Sequence, residues 1–115
     1  MSIPVPLAEL DAALARYPWG YLVTVADDQR ARFLAVPTRF EQEMLVVDAG
    51  RTGRANAAAR PQVTMVFPSP EPHGMSLIVD GDAEVGDDVV RIAPTWAVLH
   101  RAAIEGPTGE AAPLA

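Results

Sequence analysis

The segment 75-MSLIVDGDAEV-85 alternates along its whole length. Leu77, Val79, Gly81, Ala83 and Val85 share one face, and Ile78, Asp80, Asp82 and Glu84 share the other, because successive side chains of a strand point to opposite sides. One dry face and one wet face belong to an antiparallel sheet or barrel, not to a parallel sheet covered on both sides. The same period of two recurs outward from this segment. YLVTVA (21–26) reads as a strand followed by a turn at Asp27-Asp28. ARFLAVPTRF (31–40) follows, then a polar turn at Glu41-Gln42-Glu43, then MLVVDA (44–49). QVTMVF (62–67) ends in the Pro-rich SPEPHG, and GDD (86–88) turns the chain into VVRIAPTWAVLHR (89–101), where Pro94 is expected to bend the strand or place it at an edge. Ahead of the first strand, LAELDAALAR (7–16) carries Leu7, Leu10 and Leu14 at helical spacing, framed by Pro4, Pro6 and Pro18. Six short strands with tight turns, and helices only at the start and after the third strand, predict a small antiparallel barrel.

The chain of 115 residues suits one domain, and half of its residues are hydrophobic. A domain of this size buries only about two-thirds of the surface of its unfolded chain, so association into a dimer would help it. The formal net charge of −6 and the sequence pI near 4.7 argue against general nucleic-acid binding. There is no Cys, which excludes disulfides, thiolate metal sites and a Cys nucleophile. The N-terminal sequence has no basic region followed by a long apolar run, and no stretch reaches the length of a membrane span. A cytoplasmic protein with no membrane partner is therefore expected. The segment 1–104 is read as the domain, and the small, polar, Pro/Gly-containing segment 105–115 as a disordered tail.

No catalytic set and no metal site is expected. His73 and His100 lie in different elements and have no supporting motif. Asp80, Asp82 and Glu84 read as a solvated strand face. Ser2, Ser69 and Ser76 lack a nucleophile-elbow context, and Gly50 with Gly53 makes no dinucleotide fingerprint. Trp19 and Trp96 are expected in the core or at a dimer contact.

The segment 48-DAGRTGRANAAARPQV-63 is the anomaly. It gathers Arg51, Arg54 and Arg60 with no acid between Asp48 and Glu71. It reads as a strand-to-helix junction with Thr52 as N-cap, an Ala run favouring helix, and Pro61 as the stop. A helix start is already partly positive, and each cation there costs about 0.3–1 kcal/mol. Two readings follow. A phosphate resting on the free amides and gripped by guanidinium forks would reverse the problem. Alternatively, the arginines snorkel on a solvated helix and pair with acids distant in sequence.

The order of these pieces resembles the pyridoxamine-5′-phosphate-oxidase-like split barrels, which include FMN-dependent and F420-dependent oxidoreductases. The motif is the basic junction followed by Asn-x-x-x-x-Pro-x-Val, here Asn56, Pro61 and Val63. GYLVTVADDQRARFLAVPTRF is similar to the family's first hairpin and MSLIVDGDAEV to its long strand, so the likeness spans about residues 8–101. It implies a mainly β, six-stranded antiparallel split β-barrel with short helices, forming a homodimer. It also implies that Arg51, Thr52 and Arg54 hold the phosphate of FMN, with F420 as the alternative cofactor. Asn56 matches the family's Asn and takes a local structural or phosphate-side role. The backbone of Val36, Pro37 and Thr38 runs under the ring. Two departures stand out. Where the family often has Lys, three residues before the Asn, this chain has Gly53, and Arg54 is expected to substitute. The family's true oxidase also carries a C-terminal extension that grips pyridoxal phosphate, whereas this sequence ends in a bare tail. The implied function is therefore hydride or electron transfer to a small organic substrate, not pyridoxamine phosphate oxidation. The alternative is a barrel without turnover, acting as a carrier, sensor or interaction module.

Overall fold

The structure is a computed structural model that describes residues 1–103. The expected tail, 105–115, lies outside the described residues. The elements are β1 (Ser2–Pro4), a 3-10 turn (Leu7–Glu9), α1 (Leu10–Leu14), β2 (Trp19–Val25), β3 (Ala31–Glu41), β4 (Met44–Val47), α2 (Arg51–Ala59), β5 (Gln62–Phe67), β6 (Ser76–Val85) and β7 (Val90–His100). All strand pairs are antiparallel. The order β7-β4-β3-β2-β5-β6 returns to β7 through the β6–β7 pairing, closing a six-stranded barrel. The molecule is therefore mainly β with two short helices, as the alternation predicts. Among the described residues no helix is long and apolar enough to cross a membrane.

Strand β6 has the two faces read from its sequence. Leu77, Val79 and Gly81 are buried, while Asp82 and Glu84 are exposed. The inward rows of the other strands, including Leu22, Met65, Phe67 and Ile92, complete one core with Leu10 of α1 and Ala57 of α2. The segment 7–16 was expected to form one helix. It splits into the 3-10 turn and five residues of α1, with Leu10 fully buried and Leu7 largely exposed. Strand β1 has no counterpart in the sequence reading. Its three residues owe their conformation to pairing with Val98–His100, and the terminal ammonium donates to the Arg101 carbonyl at 3.0 Å.

Pro94 sits where β7 can tolerate it. One side of β7 pairs with β4 only at Val90–Ile92 and with β1 only at Val98–His100, so Pro94 falls in the gap between them. On the other side the register with β6 shifts between Asp80 and Gly81. Asp80 faces Trp96, Gly81 faces Pro94, and Thr95 is the extra residue of a bulge. The β3–β4 turn gives Gln42 and Glu43 positive φ values of 52° and 63°, as a two-residue turn matched to the twist of its strands requires.

Gly81 is demanded by this bulge. A Cβ there would meet Ile92 Cγ2 at 2.5 Å and the Ala93 carbonyl oxygen at 2.6 Å, and the second contact is backbone that cannot swing away. Gly81→Ala is expected to cost about 1–3 kcal/mol by overpacking. Urea unfolding should show this as a lower midpoint with an unchanged slope.

Candidate functional site

The chain leaves β4 at Val47, buries Ala49, and enters α2 through Gly50, whose φ is 44° and ψ 177°. Gly50, not Thr52, occupies the cap position. The helix starts two residues earlier than the Thr52 cap requires, and no side chain caps it. A residue without a Cβ is what that backbone geometry selects. The first amide with an intrahelical acceptor is that of Arg54, which donates to the Gly50 carbonyl at 3.1 Å. The amides of Arg51, Thr52 and Gly53 have no intrahelical acceptor, as at any helix start.

Across from this start lies the β2–β3 hairpin. Its register pairs Leu22 with Leu34 and Thr24 with Arg32, so these four side chains share the hairpin face turned toward α2. Between the two walls is a cavity of about 370 Å³, lined by Leu22, Thr24, Arg32, Phe33 and Leu34 on one side and by Ala49–Gly53 and Asn56 on the other. Among the described residues its charged lining consists of Arg32 and Arg51, with no carboxylate. A chain of net charge −6 therefore has a locally cationic recess beside the free amides of a helix.

The structure brings Arg51, Thr52 and Asn56 to this recess. Arg54 is half-buried on α2 but is not among its lining residues, and neither are Val36, Pro37 and Thr38. Val36 points into the core, and Thr38 lines a separate recess of about 220 Å³ beside Tyr17 and Arg39. Arg32, Phe33 and Leu34 were missed by sequence reasoning. Only the pairing across the Ala26–Arg30 turn shows that Arg32 faces Thr24.

The three arginines of the basic segment separate cleanly. Arg60, at the helix end, donates to the Val25 carbonyl at 2.6 Å and to Asp27 at 2.8 Å, so it follows the reading in which distant acids compensate the charge. Among the described residues no ion pair or side-chain hydrogen bond involves Arg51 or Arg54. Arg32 is oriented by Asp28, 2.8 Å away in a pair about half exposed on both sides. An exposed pair of this kind contributes at most about 1 kcal/mol, so it orients Arg32 without locking it.

Other residues resolve more simply. Asn56 is buried and donates through Nδ2 to Thr24 Oγ1 at 3.2 Å. His100 is exposed with its Nδ1 3.0 Å from Ser2 Oγ, and His73 is exposed in a loop. Asp80 accepts from Thr64 Oγ1 at 2.6 Å, and among the described residues no cluster of three metal-ligating side chains forms. Trp19 and Trp96 are 43% and 48% exposed, which removes both from the core.

No family model matches the sequence. Uncharacterised proteins of Mycobacterium bovis and Mycobacterium tuberculosis are each 42% identical to it over 122 residues, spanning 90% of this chain and 86% of theirs. Solved structures match at lower identity. A candidate pyridoxamine 5′-phosphate oxidase from Listeria innocua has a TM-score of 0.70 at 14% identity, covering 84% of this chain and 98% of its own. An FAD-binding protein from Mycobacterium smegmatis has a TM-score of 0.61 at 21% identity, covering 88% and 100%. A protein described as an F420 reductase has a TM-score of 0.61 at 21% identity, covering 74% and 93%.

The Asp28–Arg32 contact makes a prediction about pH. The Arg30 amide donates to the Asp28 carboxylate and is the main cause that lowers its pKa from the ordinary 3.8; desolvation opposes this, and Arg32 adds to the lowering through its charge and its hydrogen bond. A depressed folded pKa means that this contribution is present above the unfolded pKa and is lost as pH falls through the folded one. Carboxyl NMR should place the Asp28 midpoint below 3.8. Arg32→Ala should return only part of the shift, since the Arg30 amide remains.

Proposed function

The fold is that of the pyridoxamine-5′-phosphate-oxidase-like split barrels, and we propose that the chain belongs to that family and that the recess between α2 and the β2–β3 hairpin holds the phosphate end of FMN, or of F420 as the close variant. One observation carries this reading. Two arginines, Arg32 and Arg51, and the first residues of a helix whose start is uncapped by any side chain line one cavity that, among the described residues, has no carboxylate in its lining. The names of the structural neighbours, an FAD-binding protein and an F420 reductase, support the same class of ligand.

In this reading Arg51 and Arg32 grip the phosphate from opposite walls, bidentately where the forks allow. The amides of Arg51, Thr52 and Gly53 and the Thr52 hydroxyl add donors. Arg54, one position beyond the wall, adds positive charge to the region. The backbone of Val36, Pro37 and Thr38 continues β3 past the recess and forms the bed of the ring. The bound cofactor supplies hydride or electron transfer to a small organic acceptor. Among the described residues the lining holds no carboxylate and no histidine to act as a general acid or base. Its work is to bind, orient and screen.

A second copy of the chain completes the site by this reading. The outer face of the β2–β3 hairpin carries an aromatic ladder, with Trp19 and Tyr21 centroids at 5.3 Å and Tyr21 and Phe33 at 6.3 Å. Phe33 is 63% exposed and also lines the recess, so whatever covers this face also walls the site.

Two experiments test the proposal. Purified protein, or protein titrated with FMN and with F420, should show the visible absorbance of a bound ring. Arg51→Ala should weaken FMN by about 1.5–3 kcal/mol, the range of a hydrogen bond to a charged group, while leaving riboflavin binding unchanged. Protein that binds neither cofactor would leave the carrier or interaction-module reading in its place. For the second copy, light scattering should give twice the chain mass, falling to one for Trp19→Arg.

A further inference from the structure

Among the described residues, two polar side chains are buried, and they touch each other. Thr24 is 2% exposed and Asn56 is 7% exposed, and both line the recess. Leu22, Leu34 and Ala49 line the same recess. An amide or hydroxyl in such surroundings costs about 1–3 kcal/mol unless its hydrogen-bonding capacity is used. The bond from Asn56 Nδ2 to Thr24 Oγ1 uses only part of it. Among the described residues, no acceptor takes the Thr24 hydroxyl proton and no donor reaches Asn56 Oδ1. No buried side-chain polar atom sealed from solvent lacks a partner, so Oδ1 keeps accessible surface. The recess is the opening that Asn56 lines.

The pair therefore offers the recess one donor and one acceptor, side by side. A phosphate or a carbonyl satisfies the donor and leaves the acceptor bare, since neither has a proton to give. A hydroxyl both accepts and donates, so it satisfies both. The same holds with the Asn56 amide turned over, because a hydroxyl complements either orientation. The arginines and helix amides account for a phosphate but not for this second, uncharged element of the same cavity. We propose that Thr24 and Asn56 form a hydroxyl-recognition element that takes the polyol chain of a phosphorylated polyol cofactor, with the phosphate seated at the Arg51–Arg32 end. This rests on the cofactor reading above and narrows it. Both FMN and F420 carry a ribityl chain between ring and phosphate, so the pair selects for that linker and not for the ring.

The test is a fluorescence titration with three ligands: FMN, riboflavin, which lacks the phosphate, and lumiflavin, which lacks the polyol. Thr24→Val should weaken FMN and riboflavin by the same factor, about fivefold or more, and leave lumiflavin unchanged. Thr24→Ser, which keeps the hydroxyl, should restore wild-type affinity. Asn56→Ala should reproduce the Thr24→Val pattern and serves as the second variant where Thr24→Val loses its native circular dichroism. If the protein takes the deazaflavin instead, the phosphate-free ribityl deazaflavin replaces riboflavin in the same design. Equal loss for all three ligands, or no loss for any, overturns the hydroxyl element. Arg51→Ala weakening FMN alone in that case leaves the phosphate reading standing. Wild-type protein that binds neither cofactor overturns both.

Discussion

Closure through β7 is the constraint on which the rest of this molecule depends. That strand pairs with β6 along its length, with β4 at its start and with β1 at its end. Once the ring is closed, β4 and β5 are not neighbours, since β3 and β2 lie between them in the barrel order. The connection from β4 to β5 must therefore cross two strands, and α2 is that crossing. It packs on β2 and β6, and its start is laid against the β2–β3 hairpin. The recess is thus a consequence of topology before it is a consequence of any polar residue.

Electrostatics then gives the recess its character. Cations beside a helix start are mildly unfavourable, and this chain has acids enough to neutralise them elsewhere. It does so for Arg60 through Asp27 and for Arg32 in part through Asp28, both on the turn after β2. It does not do so for Arg51. The lining places two arginines beside the start of α2, with apolar walls that lower the local dielectric and strengthen the attraction for an anion. The Thr24–Asn56 pair adds a neutral polar contact to the same lining, which also holds Leu22, Leu34 and Ala49. Two arginines, a buried polar pair and the exposed Phe33 line a single cavity.

Much of the fold was legible because alternation is a direct imprint of strand geometry. All six barrel strands follow from it, within the few residues by which strand ends fray, and the Ala run before Pro61 placed α2. β1 was invisible because three residues carry no period, and its conformation is imposed by β7. The first helix was overread because Leu7, Leu10 and Leu14 fit a helix, yet Pro6 and Pro18 leave little room for one and Leu7 turns outward. Thr52 looked like a cap by residue type, but the positive φ of Gly50 had already set the helix start. At the site, Arg51, Thr52 and Asn56 were legible because they lie consecutively on one segment. Arg32 was not, because its place depends on hairpin register, which the spacing of residues within one strand does not encode. The tryptophans misled for a similar reason: a large apolar residue reads as core, and only the outward rows of β2 and β7 show otherwise.

The central claim is that this cationic recess holds a phosphate-bearing flavin or deazaflavin, and native mass spectrometry of the protein as purified tests it most directly. The account predicts a non-covalent adduct of one such cofactor per chain, or its appearance on adding FMN or F420, with the adduct lost when Arg51 and Arg32 are both replaced by Ala. A bare chain mass that stays unchanged after either cofactor is supplied would contradict it.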